Sequence, residues 1–387
     1  MPGPYSLLPL CYIIFGKSMR RLRICQLITE LQPAGAERCL LELARRLDRG
    51  RFDVHAAALR GGPVADQLRQ AGVPVHVLGM RGKWDLLKIH ALAGIFRRER
   101  FDLVHTHLFH ADVAGRLAAI HAAVPHVVHS VHVAEGRFRP WQFFWARMMA
   151  DVCDRIVAVS YAVRDFHSSR CGLPAKCYMV IPNGIDASAY RHDETKRHAM
   201  RRRLGLTPGD ILVAFVGRLD HQKGIDVLLS AASHLGARGK PIHLVIAGDG
   251  PQRSLVENYI AHGEGGRFCR WLGFCQDVQE VLSAADLFAL PSRWEGFGLA
   301  AAEAMAAGLP VIATSVPGLQ EVLDFGRAGA MIPSEDVITL TEAIERLSVE
   351  PEIRRKLGEV GRRRVVENYS IEANIAAHER LYEEIAG

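Results

Sequence analysis

The chain has 387 residues, 49% hydrophobic and 23% charged, a balance that excludes a disordered segment and leaves room for two domain cores. Its formal charge of +6 is uneven: residues 1–185 carry 25 Lys/Arg against 14 Asp/Glu, and residues 186–387 carry 23 against 28. The basic first half points to an anionic partner, either a membrane surface or an anionic acceptor. No RNP, helix-turn-helix or zinc-finger signature accompanies the charge, which argues against nucleic acid.

Residues 1–19 read as a tail or a misassigned start. The apolar run Ser6–Phe15 has no preceding cation and is too short to span a bilayer, and a second methionine, Met19, directly precedes the basic stretch Arg20–Arg23. An interfacial anchor is the alternative. Eight cysteines without a CxxC pair fit reduced thiols and a cytoplasmic protein.

From Leu22 onward, short β-branched apolar runs alternate with helical patterns. Strands are expected at Leu22–Ile28, Val54–Leu59, Val75–Leu78, Leu103–Leu108, Val127–His132 and Ile156–Ser160, then at Ile211–Val216, His243–Ala247, Leu287–Leu290 and Val311–Thr314. Helix patterns such as Glu37–Leu47 and Ile225–Leu235 lie between them. This alternation predicts an α/β chain with parallel sheets covered on both faces, arranged as two Rossmann-like doubly wound lobes facing a cleft. The break falls in the turn-rich segment Ile181–Asp186, giving a first lobe over 20–185 and a second over 186–368. A last helix pattern, about Ser370–Ile385, occupies the closing segment 369–387.

Taken in chain order, the first motif is the turn Pro33-Ala34-Gly35-Ala36-Glu37, where a small residue lets a substrate approach the backbone. It lacks the GxGxxG fingerprint, and a bare turn explains it equally well. His105, His107 and His110 follow at a strand end, with His126, His129 and His132 nearby. A zinc site is conceivable there, but no HExxH or carboxylate at ligand spacing supports it, and no metal is expected. Arg137–Arg147 mixes cations with aromatics, and Trp141, Phe144, Trp145, Met148 and Val152 fall on one helical face. A core helix is the default reading; a rim dipping into an anionic membrane is the other.

The second half carries the stronger signals. In Val216-Gly217-Arg218-Leu219-Asp220-His221-Gln222-Lys223-Gly224 a strand ends at a glycine, and Arg218 and Lys223 emerge from one loop as a clamp for a diphosphate. No P-loop is present. The tight turn Ala247-Gly248-Asp249-Gly250-Pro251 could border a nucleotide. In Ser292–Glu303 a strand leads through Glu295, Gly296, Phe297 and Gly298 into an alanine-rich helix beginning near Leu299 and holding Glu303. Open backbone amides at a helix start, flanked by two carboxylates, suit a ligand with both phosphate and hydroxyl groups, such as a sugar nucleotide.

Together these motifs resemble the retaining glycosyltransferases of family 4 (glycosyl transferases group 1), which have the two-lobed GT-B fold, over residues 20–387. The resemblance implies that Arg218 and Lys223 hold the donor diphosphate, that Glu295 and the Gly296–Leu299 amides meet donor sugar and phosphate, and that Glu303 takes the ribose hydroxyls. Gly35, Gly217 and Gly250 would border the donor. His132 matches a histidine that contacts donor sugar or acceptor, with a structural histidine as the other reading. Ala34 stands where the family commonly has a second glycine, which puts in doubt how closely acceptor or phosphate approaches that loop.

The expected activity is metal-independent, retaining transfer of a sugar from a nucleotide-diphosphate donor to a glycan or lipid-linked acceptor, in cell-envelope or exopolysaccharide biosynthesis. No cofactor beyond the donor is implied. An anionic membrane surface is a candidate partner, on the inner face of the plasma membrane. A nucleotide-sugar epimerase of the same fold and a catalytically silent nucleotide-sugar-binding protein are the alternatives.

Overall fold

The computed structural model describes residues 20–80, 82, 85–134, 138–239 and 242–386. The tail expected over residues 1–19, with Ser6–Phe15 and Met19, lies outside the described residues, as does Arg137 of the aromatic segment.

Two parallel sheets form, one in each half. The first contains β1 (Leu22–Glu30), β2 (Phe52–Arg60), β3 (Val75–Val77), β4 (Leu103–His107), β5 (His126–Val131), β6 (Arg155–Ala158) and β7 (Tyr178–Val180), in the order β3-β2-β1-β4-β5-β6-β7. The second contains β8 (Ile211–Val216), β9 (Ile242–Ala247), β10 (Cys269–Trp271), β11 (Leu287–Leu290), β12 (Val311–Thr314) and β13 (Ala330–Ile332), in the order β10-β9-β8-β11-β12-β13. Inner strands such as β4, β11 and β12 are buried along their whole length, as their unbroken apolar runs require once helices cover both faces. In each sheet the strand order reverses beside one strand, β1 in the first and β8 in the second. A crevice opens beyond the carboxyl ends of strands at such a reversal. The loops after β1, β4, β8 and β11 therefore converge on the cleft.

Three strands were not legible in the sequence. β7, β10 and β13 have three residues each and lie at sheet edges, where so short a run shows no periodicity and pairing on one side alone makes it a strand.

The helix Pro140–Met148 corrects the core reading of the aromatic segment. It buries Phe143 and Ala146, beside Cys171 and Phe166, whereas Trp141, Phe144, Trp145 and Met148 are 37–63% exposed. The helix packs sideways against the helix Tyr161–Cys171, and Trp141 meets Phe109 edge-on with centroids 5.4 Å apart, which leaves much of its aromatic face exposed.

Several contacts tie the lobes together. A β-bridge joins Ile185 to Ser370, and Ile371–Ala386 then runs back to put Ile371, Ile375, Leu381 and Tyr382 into the first lobe's core beside Ile24 and Phe52. Across the cleft, Ser160 Oγ donates to the Gly296 carbonyl at 2.6 Å. The Glu321 carboxylate accepts from the Tyr161 amide at 3.0 Å and from the Ala162 amide, capping the helix Tyr161–Cys171 from the opposite lobe.

Tyr382 is fully buried. Its hydroxyl accepts from Gln26 Nε2 at 3.0 Å and lies 2.7 Å from His105 Nδ1. Tyr382→Phe keeps the ring and strands both partners, so urea denaturation is expected to show a loss of about 1–3 kcal/mol. An unchanged unfolding midpoint contradicts this role for the hydroxyl.

Candidate active site

Two loops of the second lobe build the site. After β8, Asp220 Oδ1 accepts from the Lys223 amide at 3.3 Å and closes the turn His221–Lys223. After β11, Arg293 stitches the second loop to the first. Its guanidinium pairs with Asp226 at 2.7 Å and Glu335 at 2.8 Å and donates to the His221 carbonyl at 2.9 Å. Gln222 Nε2 donates to the Trp294 carbonyl at 3.0 Å. Held this way, Lys223 Nζ lies 2.6 Å from Glu295 Oε1, which also accepts from Ser292 Oγ at 2.8 Å.

The structure thus brings Lys223 and Glu295 into contact. Arg218 stays apart from them: its side chain is 63% exposed and 3.6 Å from Asp220 Oδ2, leaving its charge open to the cleft. Gly217 lies beside the Lys223 side chain, and Gly250 packs against the Leu219 carbonyl of the same loop. The Phe297 ring is turned away, buried edge-on against Tyr369 with centroids 5.1 Å apart, so only its backbone faces the loop.

Gly298, at φ +91°, turns the chain into the helix Leu299–Ala306, a conformation that disfavours any residue with a Cβ. The amides of the first helical turn have no intrahelical acceptor and carry the positive end of the helix dipole. Glu303 follows four residues after Leu299, about 6 Å further along the axis. Its buried carboxylate is 2.7 Å from Arg38 Nη1 of the first lobe. Burial raises the Glu303 pKa, and the Arg38 and Lys223 charges pull it back down.

The first lobe supplies the facing wall. A Cβ on Gly296 would lie 2.0 Å from the His132 carbonyl oxygen, so the two loops meet backbone to backbone. Gly35, at the start of the helix Gly35–Arg46, faces the Leu299 side chain, with a Cβ there 3.2 Å from Leu299 Cδ1. His132 Nε2 lies 3.0 Å from His107 Nδ1, and His107 Nε2 lies 2.8 Å from Gln26 Oε1. His105 joins the chain through Tyr382 and Ser130.

Burial keeps these imidazoles uncharged. It lowers His132 to about 3 and His129 and His378 to about 4, and holds His105 and His107 well below the ordinary histidine value. His129 Nδ1 is 3.2 Å from Asp112, but the ion pair there is Asp112 with Arg116 at 2.7 Å, and the histidine is a neutral neighbour. Glu37, buried in the first turn of the helix Gly35–Arg46, is raised to about 7 by burial, with the Arg218 charge across the cleft opposing the rise. Among the described residues, no group of three or more His, Cys, Asp and Glu could hold a metal ion.

Two adjoining openings lie on the first-lobe side. One, of about 400 Å³, is lined by His107, Ser130, His132, Asn183, Asn374 and His378. The other, of about 460 Å³, is lined by Arg38, Asp186, Tyr190, Leu299 and Glu303. Cys39 and Glu42 border both.

Sequence reasoning missed Arg38, Tyr190, Ser292 and Glu321. Arg38 had a signal, one turn after Gly35 in a motif already singled out. The others become visible only through contacts across 152 to 160 residues or within a folded loop.

The chain is similar to known proteins over both of its halves. The family model for Glycosyltransferase Family 4 matches residues 33–189, and that for glycosyl transferases group 1 matches residues 196–364. The chain is 26% identical over 362 residues to the UDP-Gal:alpha-D-GlcNAc-diphosphoundecaprenol alpha-1,3-galactosyltransferase of Escherichia coli, covering 90% of this chain and 93% of that relative. It is 30% identical over 296 residues to the alpha-maltose-1-phosphate synthase of Mycolicibacterium smegmatis, covering 70% and 76%. The crystal structure of Anabaena HepE in complex with UDP-glucose shares the fold, with a TM-score of 0.86 at 22% identity over 94% of this chain and 100% of that one.

The buried histidines set the pH response. Each has a folded-state pKa below its unfolded value near 6.5, so between the two the unfolded chain binds more protons and stability falls as pH falls. Glu37 acts in the opposite sense, as one group against several. Urea unfolding from pH 7 down to about pH 5 is expected to show stability falling by up to about 1.4 kcal/mol per pH unit for each buried histidine. A flat profile over that window contradicts the neutral-histidine core.

Proposed function

The chain belongs to glycosyltransferase family 4 and has the family's two-lobed GT-B fold, and we propose that it transfers a sugar from a nucleoside-diphosphate donor to a glycan or lipid-linked acceptor with retention at C1. The observation that carries this reading is the Lys223–Glu295 contact at 2.6 Å, set between the open helix start at Leu299 and the backbone of His132. On this reading the Lys223 cation, the helix amides and the Glu295 carboxylate serve the donor, and His132 serves the sugar or acceptor from the facing lobe.

The donor diphosphate lies against the amides at Gly298 and Leu299, with Lys223 and Arg218 as its cations. Lys223 has three N–H donors and spends one on Glu295, so two remain for phosphate oxygens. Gly217 and Gly250 keep the nucleotide side of the loop free of side chains. Glu303, one turn further on, receives the ribose hydroxyls. The sugar rests between Glu295 and His132, with Gly296 and the Phe297 backbone beneath it and Gly35 on the facing lobe.

Cleavage of the bond from C1 to the diphosphate places negative charge on the leaving oxygens, and Arg218, Lys223 and the helix start stabilise it there. The acceptor hydroxyl attacks the face the diphosphate leaves and gives its proton to that phosphate. These fixed cations supply the positive charge that a metal would otherwise bring. His132, uncharged, acts as a hydrogen-bonding group toward sugar or acceptor.

The acceptor side lies in the basic first lobe. The Escherichia coli relative, by its name, uses a diphosphoundecaprenol-linked acceptor, which supports a lipid-linked acceptor and a role in envelope or exopolysaccharide assembly. No described helix is long and apolar enough to cross a membrane. The exposed Trp141, Phe144, Trp145 and Met148 face, next to Arg139, fits a peripheral contact with an anionic surface.

Lys223→Ala is expected to weaken binding of the matching nucleotide sugar about 10–100-fold in calorimetry, and the first product formed by the wild type should keep the donor's anomeric configuration by NMR. Wild-type affinity in Lys223→Ala defeats the clamp; an inverted product defeats the mechanism. In a liposome sedimentation test, the wild type should pellet with anionic vesicles at low salt and Phe144→Ser/Met148→Ser should pellet less. Equal recovery of both proteins in the supernatant removes the membrane contact.

A further inference from the structure

The contact between Arg38 and Glu303 has no part in the scheme above, yet it occupies the carboxylate assigned to the ribose. The helices Gly35–Arg46 and Leu299–Ala306 meet across the cleft at their N-terminal turns, Gly35 against Leu299. One turn further along each helix, Arg38 Nη1 reaches Glu303 Oε1 at 2.7 Å. Among the described residues, no other side chain pairs with that carboxylate, whose own side chain is 5% exposed. A buried carboxylate needs a partner to stay ionised, and in the unliganded protein Arg38 is that partner.

Arg38 is also held at a second point. Its Nη2 donates to the Tyr190 hydroxyl, and its guanidinium carbon lies 5.7 Å from the Tyr190 ring centroid. Tyr190 is buried in the segment between the lobes, which is fastened to the first helix by Asp186 with Arg46 at 2.6 Å and by Cys39 Sγ donating to Asn183 Oδ1 at 3.3 Å. An arginine that lets go of Glu303 therefore keeps a seat on Tyr190, where its charge remains half exposed rather than stranded.

We propose that Arg38 and the donor's ribose hydroxyls compete for Glu303, so that this ion pair is a latch between the lobes that donor binding opens. Two vicinal hydroxyls bind a carboxylate through both of its oxygens, and Arg38 holds one of them. Binding replaces the guanidinium with the diol, and Arg38 shifts to Tyr190 alone. The apparent donor affinity is then lowered by the fraction of molecules that are latched. This inference rests on the reading that Glu303 takes the ribose.

The test measures calorimetric affinities for UDP, GDP and ADP and for their 2′,3′-dideoxy counterparts on the wild type, Arg38→Ala and Glu303→Ala. Measurements are made at alkaline pH, where the carboxylate stays ionised without its cation. With whichever diphosphate the wild type binds, Arg38→Ala should bind the ribonucleotide about 3–10-fold more tightly and the dideoxynucleotide unchanged. Weaker or equal ribonucleotide binding in Arg38→Ala overturns the latch, as does equal tightening for the dideoxy form. Glu303→Ala should abolish the preference for the ribonucleotide. If it leaves that preference intact, the ribose assignment itself fails, and binding of none of the six probes defeats the donor reading on which both depend.

Discussion

Where the lobes meet, backbone lies on backbone. The Cα of Gly296 is so close to His132 that a methyl group there would overlap the carbonyl oxygen, and Ser160 binds the Gly296 carbonyl from the same side. Any side chain at this position would wedge the second lobe's loop away from the first. The residues on either side of this contact inherit its position: Glu295 precedes Gly296, the open helix start follows it, and His132 faces it. The geometry of the site is in this sense the geometry of one interlobe contact, set by two sheets whose strand order reverses opposite each other.

Around that contact two buried carboxylates each have one cation. Glu295 takes Lys223 from its own lobe, and Glu303 takes Arg38 from the other. Breaking a buried pair without replacement is costly, so a ligand that displaces either cation must supply donors of its own. The two pairs differ in consequence. Lys223 can turn toward a phosphate without moving a domain, whereas Arg38 leaving Glu303 loosens a tie between domains. The histidines of the facing wall contribute no charge at neutral pH, because burial has removed it.

The last helix does more than fill the first lobe's core. Its Tyr382 begins a run of buried hydrogen bonds through Gln26 and His107 to His132. Side chains joined in this way, in a medium of low polarity, fix one another's orientation. The segment that returns from the second lobe thereby helps to set the His132 ring, whose own carbonyl meets the second lobe's loop at Gly296.

The sequence by itself determined the architecture and pointed to the two loops that carry Lys223 and Glu295. Ten of its apolar runs became sheet strands because, in a parallel sheet covered on both faces, burial along the chain is continuous and needs no partner to be recognised. Gly217, Lys223, Glu295 and Gly298 were singled out for a similar reason: each lies in a loop that leads from a strand into a helical turn, as the local pattern alone indicates. Three of the three-residue edge strands, β7, β10 and β13, were not legible, since pairing makes them strands and pattern does not, whereas β3 was read from its β-branched run. The exposed face of Pro140–Met148 was misread because an aromatic stripe looks the same whether or not a layer covers it. The pairing of Arg38 with Glu303 and the meeting of Gly296 with His132 were decided only in the tertiary structure. Those contacts join residues more than 160 positions apart, and no local propensity encodes which turn of one lobe faces which turn of the other.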